Sequence, residues 1–288
     1  MTPNSSAGIL PRLYITSSKA LGWLPAKLLV LHRAVWLGLL DADAMTEITR
    51  LDYMGRSGFD DEAWNLNTGL WPWEAAAVQD SFAHGARLLV VGAGGGREVI
   101  ALARQSFQVT GCDFSSDLTE ACRRNLAKAG LGAMVLEMPP NTLPTNVGRF
   151  DGVIVGRGFY HHIPTTGRRV AFLKACRSVL PDGAPLLLSD FHTQLVTTTG
   201  HRRIARVANW VRRWVGPPGR VEEGDWLSSS FQHAFTEDEI RHELASAGFE
   251  VVDYRRSPFA DDSPLAHAIA RAGPLQPDPR GHNDGVQP

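Results

Sequence analysis

The sequence predicts an α/β fold: a seven-stranded, mostly parallel sheet with helices on both faces, an N-terminal helical cap, and a helical insertion after the fifth strand. Three observations predict it. Apolar strand-like runs alternate with amphipathic helical stretches throughout residues 86–256, the pattern of a sheet wound by crossover helices. The run Leu88-Leu89-Val90-Val91-Gly92-Ala93-Gly94-Gly95-Gly96-Arg97-Glu98-Val99-Ile100 reads as strand, tight turn and helix. An acid, Asp113, ends the next strand about 20 residues further on.

The bulk numbers bound the answer without deciding it. At 288 residues the chain is long enough for one large domain or two small ones. With 43% hydrophobic and 20% charged residues it has the composition of a globular domain. A net charge of −1 gives no overall pull toward nucleic acid or a membrane. Cys112, Cys122 and Cys176 are too few and too scattered for a disulfide framework or a zinc site, so a reducing cytoplasm is the expected location. The most apolar window, Leu21 to Leu40, is interrupted by Pro25, Lys27, His32 and Arg33, which argues against a membrane-spanning helix. Residues 1–20 lack the pattern of a cleaved signal.

The N-terminal region, residues 1–84, reads as a helical cap. Residues 1–8 look disordered. Pro25 to Leu40 reads as a helix with Leu28, Leu31, Val35 and Leu39 on one face, either packed on the domain or forming an interfacial or dimerising surface. Asp43 is a candidate N-cap for the next helix. Residues 52–80 are dense in aromatics, among them Tyr53, Trp64, Trp71 and Trp73. They form either a cover over a ligand site or ordinary core. Glu74 to Ala83 reads as the helix leading into the first strand.

In the glycine run, glycine is needed where the backbone must take a positive φ or approach a ligand closely. A helix starting there aims free N–H groups at whatever binds. The dinucleotide spacing G-x-G-x-x-G is absent, because Arg97 stands where Gly92 and Gly94 would need a third glycine. The spacing present is G-x-G-x-G. After it come a helix to Arg104, a strand over Phe107–Asp113, a helix from Ser116 to Ala129 capped by Ser115 or Ser116, and a short strand, Met134–Glu137. A carboxylate at Asp113 can accept from two ribose hydroxyls at once. Phe150–Val155 is the fourth strand, Arg168–Leu180 a helix, and Pro185–Asp190 the fifth strand. His201 to Val215 reads as a basic amphipathic helix with Ile204, Val207, Val211 and Trp214 on one face. It is either a lid helix with a solvated face or a surface for a membrane or an acidic partner. Thr236 and Glu239 form a capping box for the helix ending near Gly248. Phe249–Arg255 and Leu265–Ala270 complete the sheet, and the tail 273–288 looks disordered.

Three stretches together carry a family resemblance: Gly92-Ala93-Gly94-Gly95-Gly96, Val109-x-Gly111-x-Asp113-x-Ser115, and Phe150-Asp151-Gly152-Val153 followed by His161-His162-Ile163-Pro164. They are similar to the motifs of the class I S-adenosylmethionine-dependent methyltransferases, whose domain is Rossmann-like. The resemblance covers about 170 residues and implies a domain over 85–272, with 192–234 inserted as a lid. It implies S-adenosylmethionine as cofactor, held by Gly92, Ala93, Gly94, Gly96, Asp113, Phe114, Met138, Gly156 and Arg157. Pro139 stands where the family often has an acid for the adenine, and proline cannot make that bond. Glu137, a backbone group, or shape alone must replace it.

Methyl transfer is an in-line displacement that needs alignment, exclusion of water and, for a hydroxyl or ammonium acceptor, a base. The candidate catalytic residues are His161, His162, His192 and Tyr160, with His161 favoured as base. Trp71, Trp73 and Tyr160 are the candidate substrate contacts. The expected acceptor is a small molecule of the secondary-metabolite kind. No nucleic-acid partner, no integral membrane segment and no metal site are expected, and a homodimer is left open. The alternatives are a relative that uses the cofactor without transferring its methyl, such as a cyclase, and a non-catalytic binding protein.

Overall fold

The computed structural model describes residues 9–21, 26–54, 60–193, 198–256 and 265–274. The expectations for residues 1–8 and for 275–288 lie outside them. Among the described residues, five helices precede the sheet: α1 (Ile9–Ala20), α2 (Ala26–Leu39), α3 (Ala42–Met54), α4 (Glu62–Asn67) and α5 (Pro72–Ser81). The sheet region then runs β1 (Arg87–Val91), α6 (Arg97–Arg104), β2 (Gln108–Asp113), α7 (Ser116–Lys128), β3 (Met134–Glu137) and β4 (Gly152–Val155). A 3-10 turn at Tyr160–His162, α8 (Thr166–Ser178) and β5 (Pro185–His192) follow. The chain ends through α9 (Thr198–Val215), the hairpin β6 (Asp225–Leu227) and β7 (Phe231–His233), α10 (Glu237–Ser246), β8 (Phe249–Arg256) and β9 (Leu265–Ala272).

The seven strands lie in the order β3-β2-β1-β4-β5-β9-β8. β1, β2, β3, β4 and β5 pair in parallel, and β9 is antiparallel to both β5 and β8. The predicted mostly parallel sheet is therefore present. From β1 the chain winds outward to β3 and returns to β4 on the other side. The switch in strand order thus falls between β1 and β4, where open sheets of this kind leave a crevice beyond the strand ends.

Both faces of the sheet are covered, so β1 is apolar from Leu88 to Val91 rather than alternating. Leu88 and Val90 pack with Val78 of α5, Val99 and Leu102 of α6, and Cys122 and Leu126 of α7. Leu89 and Val91 face the other way, with Phe172 and Leu173 of α8 and Ile240 and Leu244 of α10. A third cluster joins Tyr14, Leu37, Leu40, Met45 and Ile48 of the N-terminal helices to Ala205 and Ala208 of α9 and Phe231 of the hairpin.

The helix caps follow local rules. Ser115 accepts from the Leu118 N–H, and Thr236 and Glu239 cap each other's backbone. The cap of α3 is Asp41, whose carboxylate accepts from the Ala44 N–H at 2.7 Å, and not Asp43, which lies inside the helix.

Two expected apolar stripes are corrected. On α2, Leu28 and Leu31 are each 49% exposed, whereas Ala34, Leu37 and Gly38 face inward. On α9 the inward residues are Ala205, Ala208 and Val211, while Trp214 points out. The cause is close helix contact. A Cβ added to Gly38 would sit 2.5 Å from the Ala208 carbonyl oxygen, so only small side chains fit between α2 and α9. The bulky residues are displaced to the outer faces.

Candidate functional site

The glycine loop joins β1 to α6. Gly92 and Gly94 take positive φ of 76° and 53°, which a side chain would resist. Beyond conformation, each glycine has its own neighbour. A Cβ at Gly92 would meet the Phe159 ring at 2.7 Å, and one at Gly96 would meet Cys122 Sγ at 2.8 Å. At Gly94 it would meet nothing within 4 Å, so this position faces open space.

That space is a cleft of about 650 Å³. Gly92, Ala93, Gly94, Gly158, His161, His162, Asp190 and His192 line it, along with Arg157 and Glu98. A smaller recess of about 70 Å³ shares Tyr53, Gly92, Gly94, Arg157 and His162 with it, and reaches Asp113, Phe114, Leu118, Pro140 and Asn141. The two are halves of one site, lying beyond the carboxyl ends of β1, β2, β4 and β5.

Asp113 anchors the narrow half. Its Oδ2 accepts from the Gly94 N–H and its Oδ1 from the Ser115 N–H, both at 2.9 Å. Burial raises its pKa, and these backbone donors pull it back down. Phe114 sits beside it, edge-on to Tyr53. Met138, an expected cofactor residue, turns its side chain into the core; its N–H donates to the Asp113 carbonyl at 3.0 Å. Pro140 and Asn141 take that wall instead, and Asn141 Nδ2 donates to Thr46 Oγ1 at 3.1 Å.

Gly156 supports the loop from behind. Its N–H donates to Val91 O at 2.7 Å, and an added Cβ would lie 2.7 Å from Gly92 O. Arg157 spans both halves of the cleft, with Nε 3.1 Å from Asp190 Oδ2. Asp190 is fully buried and has a φ of +41°, within the register shift of β5 between Leu188 and Phe191. Strained backbone in a side-chain-bearing residue concentrates at functional sites.

The three histidines come together. The His161 ring lies 4.3 Å from that of His162 and 4.4 Å from that of His192. Burial drives His161 well below the ordinary imidazole range, and the neighbouring His162 and His192 add to this. Burial alone lowers His192 to about 4. Both are neutral at pH 7 and can accept a proton. His162 is committed differently. Its Nδ1 lies 2.6 Å from the Phe231 carbonyl, which can only accept, so Nδ1 carries the hydrogen. Its Nε2, 2.9 Å from Tyr53 Oη, therefore accepts from the tyrosine. In its neutral form it orients Tyr53 between the two halves of the cleft.

Several expected contacts are not brought to the cleft. Tyr160 is fully buried behind it, and its hydroxyl donates to Glu243 at 2.6 Å. Glu243 also pairs with the buried Arg169, which bonds Glu222 as well. Trp73 stacks on His267 of β9 at 4.2 Å, outside the cleft. Trp71 starts α5 and lies against Trp64, 5.8 Å and 5.9 Å from the Arg97 and Arg157 guanidinium carbons. From this aromatic segment Tyr53 and Trp64 reach the cleft, and Thr46 and Thr49 of α3 complete its cover. Helical phase decides which aromatic faces inward, and a short, irregular segment hides that phase in sequence.

Sequence reasoning also missed a buried ionic network. Arg97 donates to Gly69 O, to both oxygens of Glu74 and to Glu98, at 2.6–2.8 Å. Ser189 Oγ donates to Glu74 at 3.1 Å. This ties the start of α6 to α5 and to the end of the sheet. Away from the cleft, Glu222, Asp225 and His233 offer ligand atoms within 4.8 Å of one another. Two of them already have partners within the fold: Arg169 lies 2.8 Å from Glu222, and Asp225 lies 2.7 Å from His233 Nδ1.

Residues 88–183 match the family model described as a methyltransferase domain. No curated protein matches the chain. Among solved structures, a SAM-dependent methyltransferase from Methanosarcina mazei is similar with a TM-score of 0.57 and 21% identity, covering 71% of this chain and 99% of that one. The 1,6-didemethyltoxoflavin-N1-methyltransferase of Burkholderia thailandensis gives 0.58 and 19%, covering 82% and 92%. The CcbJ methyltransferase of Streptomyces caelestis gives 0.52 and 15%, covering 78% and 96%. At these identities the structural likeness is one of fold.

Proposed function

We propose, on the premise that this chain carries a methyltransferase domain on the class I fold, that it transfers a methyl group from S-adenosylmethionine to a small-molecule acceptor of the secondary-metabolite kind. The observation that carries the reading is the two-part cleft, with a buried carboxylate closing its narrow end and neutral histidines lining its wide one. When bound, the cofactor supplies a methyl group already activated on a sulfonium. The residues fit it: Gly94 presents an open backbone position, and Asp113 has oxygen lone pairs beyond its two N–H partners for ribose hydroxyls. Phe114, Leu118 and Pro140 offer apolar surface to the base, and Asn141 offers it a polar group.

The wide half holds the acceptor. Tyr53, Trp64 and Gln232 line it and align the attacking atom. His161 and His192 are the groups placed to take a proton from a hydroxyl or ammonium acceptor, since both rings line this half of the cleft. Arg157, held by Asp190, fixes the boundary between the halves. The Burkholderia thailandensis neighbour was crystallised with 1,6-didemethyltoxoflavin and S-adenosylhomocysteine together, which supports a small-molecule acceptor beside the cofactor.

Titration calorimetry with S-adenosylmethionine and S-adenosylhomocysteine tests the cofactor. No heat at millimolar ligand would overturn the proposal. Incubation with methyl-labelled cofactor and a small-molecule extract then tests the acceptor. Label that enters only macromolecules, or nothing at all, would refute that part.

A further inference from the structure

The helices α1, α2 and α9 form one unit. Gly38 of α2 is packed against Ala208 of α9, and Tyr14 of α1 shares their buried cluster. Their charge is segregated. Together they contain nine lysines and arginines and no aspartate or glutamate. The whole chain has a net charge of −1, so its remaining residues carry −10. Local charge of this kind is invisible in the total.

Helix α9 shows what the charge is for. Arg212 points inward and donates to the Leu37 and Leu40 carbonyls, and Arg202 pairs with Glu223 at 2.7 Å. Arg203, Arg206 and Arg213 are exposed and have no carboxylate partner among the described residues. At offsets of three, seven, ten and eleven from Arg203, the residues Arg206, Trp210, Arg213 and Trp214 share its helix face. Trp210 and Trp214 are 66% and 70% exposed, and the Arg213 guanidinium carbon lies 5.9 Å from the Trp214 ring. The adjoining helices also carry exposed aliphatic side chains: Leu28 and Leu31, three apart on α2, and Ile9, Leu10 and Leu13 on α1.

We propose that this face docks on an anionic lipid bilayer. Indole rings settle at the level of lipid headgroups, with an apolar body and one N–H donor. Guanidinium groups interleaved with them meet lipid phosphates, and the aliphatic residues enter the acyl boundary. A nucleic acid would use the arginines and indoles but has no place for five exposed aliphatic residues. Among the described residues no helix is long and apolar enough to cross a membrane, so the attachment is peripheral. It does not depend on which methyl acceptor the cleft takes.

The test is flotation of the full chain with vesicles of phosphatidylcholine alone, or of phosphatidylcholine with phosphatidylglycerol, at low and high salt. Binding should require the anionic lipid and weaken with salt. The triple variant Arg203→Gln, Arg206→Gln and Arg213→Gln should lower partitioning about a hundredfold, at roughly fivefold per charge. Since all three side chains are exposed, the variant should keep the parent's unfolding midpoint. Brominated lipid should quench tryptophan emission in the parent. In Trp210→Phe/Trp214→Phe, which keeps the apolar surface, that quenching should be lost while binding persists. Equal binding to both vesicle types, unchanged quenching in the double variant, or capture of a single-stranded oligonucleotide but no vesicle would each overturn the proposal.

Discussion

Replacing Arg97 by methionine tests the network that joins the glycine loop to α5. The side chains of Arg97, Glu74 and Glu98 are 5%, 3% and 9% exposed, so water cannot take the place of a lost partner. Methionine fills similar volume, so packing is largely kept while four hydrogen bonds vanish. Two carboxylates and the Gly69 carbonyl lose the guanidinium, and Glu74 keeps only the neutral Trp71 N–H and Ser189 hydroxyl as donors. Removing one member of a buried pair costs about 3–5 kcal/mol. That is a large share of the roughly 5–15 kcal/mol that holds a domain together. Urea unfolding at pH 7.5 should therefore show a much lower midpoint at unchanged slope. In a double-mutant cycle, Arg97→Met with Glu74→Leu should be less destabilised than the sum of the singles. A loss below about 1 kcal/mol for Arg97→Met, or strict additivity in the cycle, would refute the argument from buried charge.

Three further outcomes follow from the cleft and its frame. Asp113→Ala removes the charged acceptor proposed for two ribose hydroxyls, at about 1.5–3 kcal/mol each, so affinity for S-adenosylhomocysteine should fall by about a hundredfold or more in calorimetry. Gly156→Ala forces a methyl group to 2.7 Å from Gly92 O. It should cost about 1–3 kcal/mol, read as a lower thermal midpoint. Acid should also weaken the fold. Burial lowers His161, His192 and His267 below the ordinary value of 6.5, the latter two to about 4, so the unfolded chain binds more protons between these limits. Stability is full above about pH 6.5 and falls as pH drops toward about 4, by at most roughly 1.4 kcal/mol per pH unit per histidine. Urea midpoints at pH 7.5, 6 and 5 should show this, and His267→Phe should flatten the dependence.

The strands and the glycine turn were readable in the chain because their causes are local. A strand buried on both faces must be a short apolar run, and the turn after it must relieve positive φ. Met134–Glu137 and the Thr236–Glu239 capping box needed no distant information. The hairpin β6–β7 was missed because three-residue strands inside an insertion leave no period to detect. The leucine stripe on α2 misled because the contact with α9 at Gly38 excludes large side chains, a constraint set by a helix some 170 residues away. Trp73 looked like a cover and proved to be a partner for His267, another distant residue.

The sequence by itself determined the sheet, the loop at Gly92–Gly96 and the acid at Asp113, since backbone conformation and strand burial are dictated within a few residues. Arg97 marks the limit. In sequence it only broke the dinucleotide spacing. The tertiary structure gave it Glu74 and Glu98 as partners, brought His161 beside His192, and turned Tyr160 away toward Glu243. Those pairings join residues that are local in space and remote in the chain, and only packing selects among the partners that charge and hydrogen bonding allow.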